Sequence, residues 1–450
     1  MTPVRFGTDG VRGVAGADLT AELALAFGRS VARVLPSDFY LAGRDTRRSG
    51  PMLQAAVSAG LAAEGADVAD VGVVPTPALA YLADQSGAPA VMVSASHNPF
   101  ADNGLKVFGD RGQKLAEEVE RRIEAELEAL LGQPGQPART GAGVGRLFGL
   151  TSPVDDYRRH LVASLDGRQL DGLEVVFDGA NGAASELGPA VLAEAGADVT
   201  SLNCSPDGTN INDGCGSTKP EALASAVVAA GADLGLAVDG DADRLVAVDH
   251  TGAVADGDVL LALFAIDLAK RDELTNETVV VTVMTNLGFR LAMAERGIAV
   301  VETPVGDRHV LAALDQEGLA LGGEQSGHIV FRRRATTGDG LLTGLLLADL
   351  VARHGRPLAD LTAGLVERVP QVLVNVAVAD PGRLAGASVV WEAVGRVEAE
   401  LGGRGRVVLR PSGTEPLVRV MVEAATEDEA SAAAGRLCTV VEQVLGPASP

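Results

Sequence analysis

Short apolar runs rich in β-branched residues alternate along this chain with Ala/Leu-rich stretches of helical period, and that alternation restricts it to α/β architecture. The runs predict strands at residues 39–42, 90–94, 173–177, 234–238, 245–248, 278–283 and 298–301. The periodic stretches predict helices over 21–35, 53–64, 115–131, 221–230 and 260–269. Past residue 370 the order changes: strands at 372–378, 406–409 and 418–423, with helices starting at Trp391 and Glu427, predict a small closing α+β unit. A chain of 450 residues is too long for one core. Glycine, proline and glutamine crowd residues 132–145, marking a linker or exposed loop, and further boundaries are expected near 249–258 and 369–372. The expected division is 1–150, 151–253, 254–370 and 371–450, and the first three units are similar enough in size to be diverged copies.

Charge narrows the partners. A formal net charge of −23 argues against nucleic acid, which most of the surface would repel, but leaves a small phosphorylated substrate open where cations gather. Lys106, Lys114, Lys219 and Lys270 are the only four lysines, so arginine, with its planar fork suited to phosphate, carries nearly all the positive charge. Cys204, Cys215 and Cys438 form no Cys-x-x-Cys pair, which argues against a zinc site or a disulfide framework. The first residues lack an apolar signal core, and the most apolar runs, 260–266 and 341–350, are too short to span a bilayer. A cytoplasmic protein with no membrane partner is expected.

Four stretches carry chemistry. Ser94-Ala-Ser96-His97-Asn98-Pro99 follows a strand directly and is stopped by Asn-Pro, which displays Ser96 on a turn where α/β sheets place their ligands. Lys106 follows closely, although a plain polar turn would have a similar sequence. Asp239, Asp241 and Asp243 alternate with tiny residues and would repel one another strongly without a cation. They are not an EF-hand, because Arg244 and His250 stand where its glycine and bidentate glutamate belong, and magnesium suits so small a carboxylate set better than calcium. Glu324-Gln325-Ser326-Gly327-His328 on a glycine-framed loop can grip several sugar hydroxyls. Arg410-Pro-Ser412-Gly413-Thr414, with Arg419 beyond, offers a guanidinium, hydroxyls and free backbone N–H groups for a phosphate. Smaller cationic spots are Arg5 to Arg12, Arg44 to Arg47, and Arg308 in Gly306-Asp307-Arg308. Each alone has a bland reading as a capped turn or solvated loop. Together they describe a nucleophile, a cation site, a hydroxyl-binding loop and a phosphate cradle converging on a cleft.

In order and over essentially the whole chain, these motifs resemble those of the α-D-phosphohexomutase superfamily, and most of all its bacterial branch acting on glucosamine phosphate. The branch likeness rests on the opening Phe6 to Gly13, on Asn210 to Thr218, on Gly323 to His328 and on Arg419 to Glu423. Ala242 stands where many members carry glycine, a small-for-small change. The resemblance implies three α/β domains with mixed sheets plus a smaller α+β C-terminal domain around a central cleft. It implies Ser96 as phosphoserine and metal ligand, Asp239, Asp241 and Asp243 as magnesium ligands, and Glu324, Gln325 and Ser326 on the sugar. Arg410, Ser412, Gly413 and Thr414 would bind phosphate, with Arg419 and Arg308 as further substrate contacts. Lys106, His328, Arg12 and Arg244 fall where the superfamily has residues for proton transfer or active-site charge.

The implied activity converts glucosamine 6-phosphate to glucosamine 1-phosphate through a bisphosphorylated sugar, with a bisphosphorylated hexose as primer, in a monomer or homodimer. Sister activities on glucose or mannose phosphates are the nearest alternatives. A haloacid-dehalogenase-type phosphatase also uses Asp-x-Asp after a strand, but usually near the N-terminus. A sugar-phosphate sensor would need no nucleophile.

Overall fold

The computed structural model describes residues 6–7, 10–133, 135, 138–150, 152–412 and 416–446. The first sheet contains β1 (Val11–Val14), β2 (Phe39–Arg44), β3 (Asp67–Val73), β4 (Ala90–Val93), β5 (Asp102–Phe108) and β6 (Leu147–Gly149), in the order β1-β5-β4-β2-β3-β6. The second contains β7 (Glu174–Asp178), β8 (Asp198–Leu202), β9 (Leu234–Val238), β10 (Leu245–Asp249) and β11 (Val254–Ala255), ordered β11-β10-β9-β7-β8. The third contains β12 (Thr278–Thr282), β13 (Ala299–Thr303), β14 (Leu321–Gly323) and β15 (Ile329–Phe331), ordered β13-β12-β14-β15.

These three sheets share one plan. Each has a first strand at its centre, a second parallel to it on one side, a third parallel on the other, and a fourth that returns antiparallel to the third. The sets are β2, β3, β4, β5, then β7, β8, β9, β10, then β12, β13, β14, β15. Helices make the two parallel crossovers in each, as parallel connections require. The turn between third and fourth strands therefore recurs three times, and it carries Ser96, Asp239 to Asp243, and Glu324 to His328 in turn. Because the parallel strands are covered on both faces, they read as continuous apolar runs: β4, β9 and β12 are buried throughout.

The fourth sheet is antiparallel throughout, β16 (Gln371–Ala377), β18 (Leu417–Glu423) and β17 (Arg406–Pro411) in that order, backed by helices Ser388–Leu401 and Glu427–Leu445. It has its own core around Val390, Val420 and Leu437, whereas one continuous apolar cluster runs through the other three units, from Leu41 to Leu365. Polar groups tie the fourth unit on. Asn286 caps helix Leu287–Glu295 through Gly288 N and donates to Val369 O and to Glu423 Oε1, both at 2.9 Å. Glu423, fully buried, also accepts from Arg406 Nε at 2.5 Å.

The expected strands and helices are all present, with ends shifted by up to three residues. Among its described residues the segment 132–145 holds a 3-10 turn, Gly141–Gly143, and it leads into β6, which adds to the edge of the first sheet beside β3. The stretch 249–258 contains β11, which pairs back onto β10.

Candidate active site

Ser96 has a left-handed backbone, φ 53°, a conformation costing a non-glycine residue roughly 1–2 kcal/mol. The loop is held there by groups distant in sequence. Ser94 Oγ accepts from Ser96 N at 2.9 Å and donates to Asp45 Oδ2 at 2.7 Å. Arg47, buried to 1% exposure, gives one Nη2 to Ser96 O at 2.9 Å and Asn98 O at 2.8 Å, and Asn212 Nδ2 reaches Ser96 O at 2.8 Å from the second unit. With its carbonyl clamped, the side chain points the other way. Ser96 Oγ donates to Asp239 Oδ2 at 2.5 Å.

The three aspartates lie on the turn between β9 and β10, all buried, with candidate ligand oxygens within 4.8 Å of one another. Burial, and then the charges of Asp243 and Asp241, push Asp239 well above the usual carboxylate range. Asp243 goes the other way: burial opposes its charge, but His328, Lys106 and Arg244 outweigh it. Lys106 Nζ donates to Asp241 Oδ2 at 2.7 Å, and Thr76 Oγ1 donates to that same oxygen at 2.6 Å. Asp241 Oδ1 and Asp243 Oδ1 remain buried with no hydrogen-bond partner among the described residues. Orphaned carboxylate oxygens in one cluster fit a hard divalent cation. Ala242, between them, has φ 58° and a fully buried methyl. The strain relative to glycine, about 1 kcal/mol, is offset by burial of that methyl, roughly 0.8 kcal/mol.

Around this centre, Arg12 Nη1 donates to Asn98 Oδ1 at 3.3 Å, and Arg244 N donates to Asp239 Oδ1 at 3.2 Å. His97 Nδ1 stands 3.3 Å from Ser96 Oγ; burial, then Arg244 and Arg12, lower its pKa to about 4, which keeps the ring neutral. His328 is buried with Nδ1 at 3.7 Å from Asp243, and its Nε2 accepts from Gly338 N at 3.1 Å. Burial disfavours charge on that ring, but Asp243, Asp307 and Glu324 raise its pKa overall.

The loop from Glu324 to His328 closes on itself through Glu324 N to His328 O and Gly327 N to Glu324 O, both at 3.0 Å. Gly327 has φ 90°, and a Cβ there would meet Leu245 O at 2.1 Å, so the loop packs backbone to backbone on the second unit. Glu324 and Gln325 are half-buried and Ser326 is exposed. Across from them, Arg410 and Arg419 are directly opposed on β17 and β18. Burial, then Arg419, lower the Arg410 pKa, while the Glu324 charge raises it, so loops of the third and fourth units share one electrostatic field. Arg410 Nε is buried with no hydrogen-bond partner among the described residues, and Ser412 N donates to Leu417 O at 2.9 Å. Gly413 and Thr414 lie outside the described residues. Arg308 is committed elsewhere: it forms a bidentate pair with Glu120 at 2.8 and 3.2 Å and donates to Gly7 O at 3.1 Å.

Three contributors were not singled out as site residues by the sequence. Thr76 sits on an apolar segment, Arg47 was only one of several cationic spots, and Asn212 lies in a glycine-rich turn whose backbone, φ 58°, is itself left-handed.

Four family models match the chain in order. Phosphoglucomutase/phosphomannomutase alpha/beta/alpha domain I covers residues 3–132, domain II 155–252, domain III 256–369 and the C-terminal domain 373–439. A phosphoglucosamine mutase of Streptomyces coelicolor is 54% identical over 98% of this chain and 99% of its own length; one of Kineococcus radiotolerans is 53% identical over the same shares. The crystal structure of a phosphoglucomutase/phosphomannomutase family protein from Burkholderia thailandensis superposes with a TM-score of 0.80 at 25% identity, covering 100% of this chain and 99% of that one. The phosphatase reading of the Asp-x-Asp stretch is thereby displaced, and this chain belongs to the phosphoglucomutase/phosphomannomutase family.

Proposed function

We propose that this chain works as a phosphoglucosamine mutase, interconverting glucosamine 6-phosphate and glucosamine 1-phosphate through a phosphorylated Ser96. The observation that carries the chemistry is Ser96 Oγ held 2.5 Å from Asp239 on a strained, clamped turn. The amino-sugar assignment rests on relatives of that name at 53–55% identity over 98% of this chain.

Magnesium held by Asp239, Asp241, Asp243 and the Ser96 phosphate would supply neutralisation of phosphoryl oxygen charge. The rest falls to the chain. A sugar hydroxyl attacks phosphorus, the new sugar O–P bond forms as the Ser96 O–P bond breaks, and the hydroxyl proton passes to a base. The bisphosphate then reorients and returns its other phosphoryl group to Ser96. Lys106 and His328 are the candidates for moving protons, both buried against the aspartates. Arg12 and Arg244 supply positive charge beside the nucleophile. Glu324, Gln325 and Ser326 orient the sugar, and Arg410, Arg419, Ser412, Gly413 and Thr414 hold the phosphate that is not reacting. Arg308, spent on Glu120, supports the first and third units against each other and is withdrawn from the substrate contacts.

We assign the four units to 1–150, 151–253, 254–370 and 371–450, and the protein to the cytoplasm as a monomer or homodimer. No helix among the described residues is long and apolar enough to cross a membrane. The test is phosphorus NMR of the purified protein with magnesium, a hexose bisphosphate primer and each sugar phosphate in turn. Glucosamine 6-phosphate is expected to isomerise fastest. A preference for glucose or mannose phosphate would reassign the substrate, and inorganic phosphate as the main product would refute the mutase reading.

A further inference from the structure

A second cavity, of about 610 Å³, opens where helix Thr76–Ser86, the turn after β5, helix Asp155–Ala163 and the segment after β15 meet. It shares no lining residue with the site above: Ser96, the three aspartates, the loop from Glu324 to His328 and Arg410 are all absent from its walls. Its volume suits a small organic molecule rather than a lone ion.

The walls offer three kinds of recognition. Two guanidinium groups are uncommitted to carboxylates. Among the described residues, Arg333 reaches only the Thr275 hydroxyl, at 3.2 Å, and Arg111 is exposed with no ion pair. Their neighbours differ, since Arg332 is paired with Asp315 and Arg334 with Asp166. In a chain of net charge −23, two such arginines on one cavity are a local invitation to an anion. An aromatic wall comes next: Tyr81 stacks on His160 with centroids 4.7 Å apart, and Tyr157 lies 5.7 Å from Tyr81. The third is an unmet acceptor. Gln113 Oε1 is buried with no hydrogen-bond partner among the described residues, and bare phosphate, which brings chiefly acceptor oxygens, leaves it unsatisfied. The Asp84 carboxylate, on the same walls, accepts from Gln85 Nε2 at 3.1 Å and has lone pairs for further donors.

An anionic group, a flat ring and N–H or O–H donors within one molecule of this size describe a nucleotide. We propose that this cavity is a nucleoside diphosphate site, with the phosphates on Arg111 and Arg333, the ring against Tyr81 and His160, and base or ribose donors on Gln113 and Asp84. The proposal does not depend on which sugar phosphate the other site takes.

The test is calorimetric titration of the full chain with uridine diphosphate and adenosine diphosphate, with inorganic phosphate as control. At least one nucleotide should bind, and more tightly than phosphate. Arg111→Glu changes only an exposed side chain and should preserve the fold; it should weaken nucleotide binding about tenfold or more, with Arg333→Ala acting in the same direction. Arg410→Ala, on the other site, should leave this binding unchanged. Nucleotide binding lost with Arg410→Ala but kept in Arg111→Glu would place it in the mutase cleft and overturn the proposal. So would the absence of binding by either nucleotide, or phosphate binding as well as both.

Discussion

Arg410 and Arg419 face each other directly across two antiparallel strands, a cross-strand pairing of like charges. Such a pair opposes folding wherever its charge is not neutralised, and Arg410 Nε is buried with no hydrogen-bond partner among the described residues. Arg410→Met should therefore stabilise the ligand-free protein slightly, by up to about 1 kcal/mol. It should also raise the KM for glucosamine 6-phosphate by tenfold or more, from loss of a charged hydrogen bond worth roughly 1.5–3 kcal/mol. Thermal unfolding without phosphate and steady-state kinetics read the two effects separately. A destabilised variant with unchanged KM would mean that Arg410 serves the sheet and not the substrate.

The aspartate cluster makes an analogous prediction for metal. Three like charges share one buried turn, and Lys106 offsets only part of them. Magnesium should raise the melting temperature in proportion to the logarithm of its concentration above Kd. Asp239→Asn should lose most of that increment while the metal-free protein changes by no more than about 1 kcal/mol. One repulsive charge is gone, Arg244 N keeps its acceptor, and the new amide can donate to Ser96 Oγ. Full magnesium stabilisation in this variant would move the cation elsewhere.

The sequence displays the ends of this site better than its supports. Ser96 and the aspartates are legible because turn residues stop a strand right where chemistry begins. The recurrence of that turn in three sheets was hidden, since β14 and β15 have three residues each and carry no usable period. Strand β8 was missed because it is half-exposed, and β5 because it opens on Asp102-Asn-Gly, which reads as a turn. Thr76, Asn212 and Arg47 acquire meaning only through partners 165, 116 and 49 residues away. No local pattern encodes such contacts. Arg308 shows the reverse case, a cation beside a glycine that looked available until Glu120 folded onto it.

The joint between the third and fourth units should be fragile at one residue. Asn286 uses its whole amide: Oδ1 accepts from Gly288 N and Val369 N, and Nδ2 donates to Val369 O and Glu423 Oε1. Asn286→Ala removes a helix cap and the side-chain hydrogen bonds to Val369 and Glu423, although Glu423 keeps Arg406 Nε and Leu287 N, a loss of about 2–4 kcal/mol. Because the fourth unit has its own core, the loss should fall on docking more than on folding of either part. Limited proteolysis near residues 369–371 should accelerate, and KM should rise as the Arg410 loop loosens from the Glu324 loop. Unchanged proteolysis with a uniformly lowered melting temperature would make Asn286 an ordinary core residue.

Asp258 gives a pH signature outside the reacting centre. It lies in the first turn of helix Gly257–Lys270, 2% exposed; its Oδ2 accepts from Asn286 N at 2.9 Å, and its Oδ1 has no hydrogen-bond partner among the described residues. Burial, with a smaller push from Asp256, raises its pKa from 3.8 to about 7. The folded state thus holds this proton longer than the unfolded chain does. Below about pH 4 both states are protonated and the group costs nothing. Between about 4 and 7 only the folded state is, so stability falls by about 1.4 kcal/mol per pH unit, then levels off above 7. Asp258→Asn keeps the acceptor for Asn286 N and removes the charge. Wild type and variant should be nearly equally stable at pH 4, with the variant ahead by a few kcal/mol at pH 8. Other displaced groups, Asp339 at about 6 among them, contribute to both proteins, so the difference between their urea-unfolding curves isolates this one. A difference that does not grow between pH 4 and 7 would show that Asp258 stays ionised in the fold, with Asn286 N and water meeting its charge.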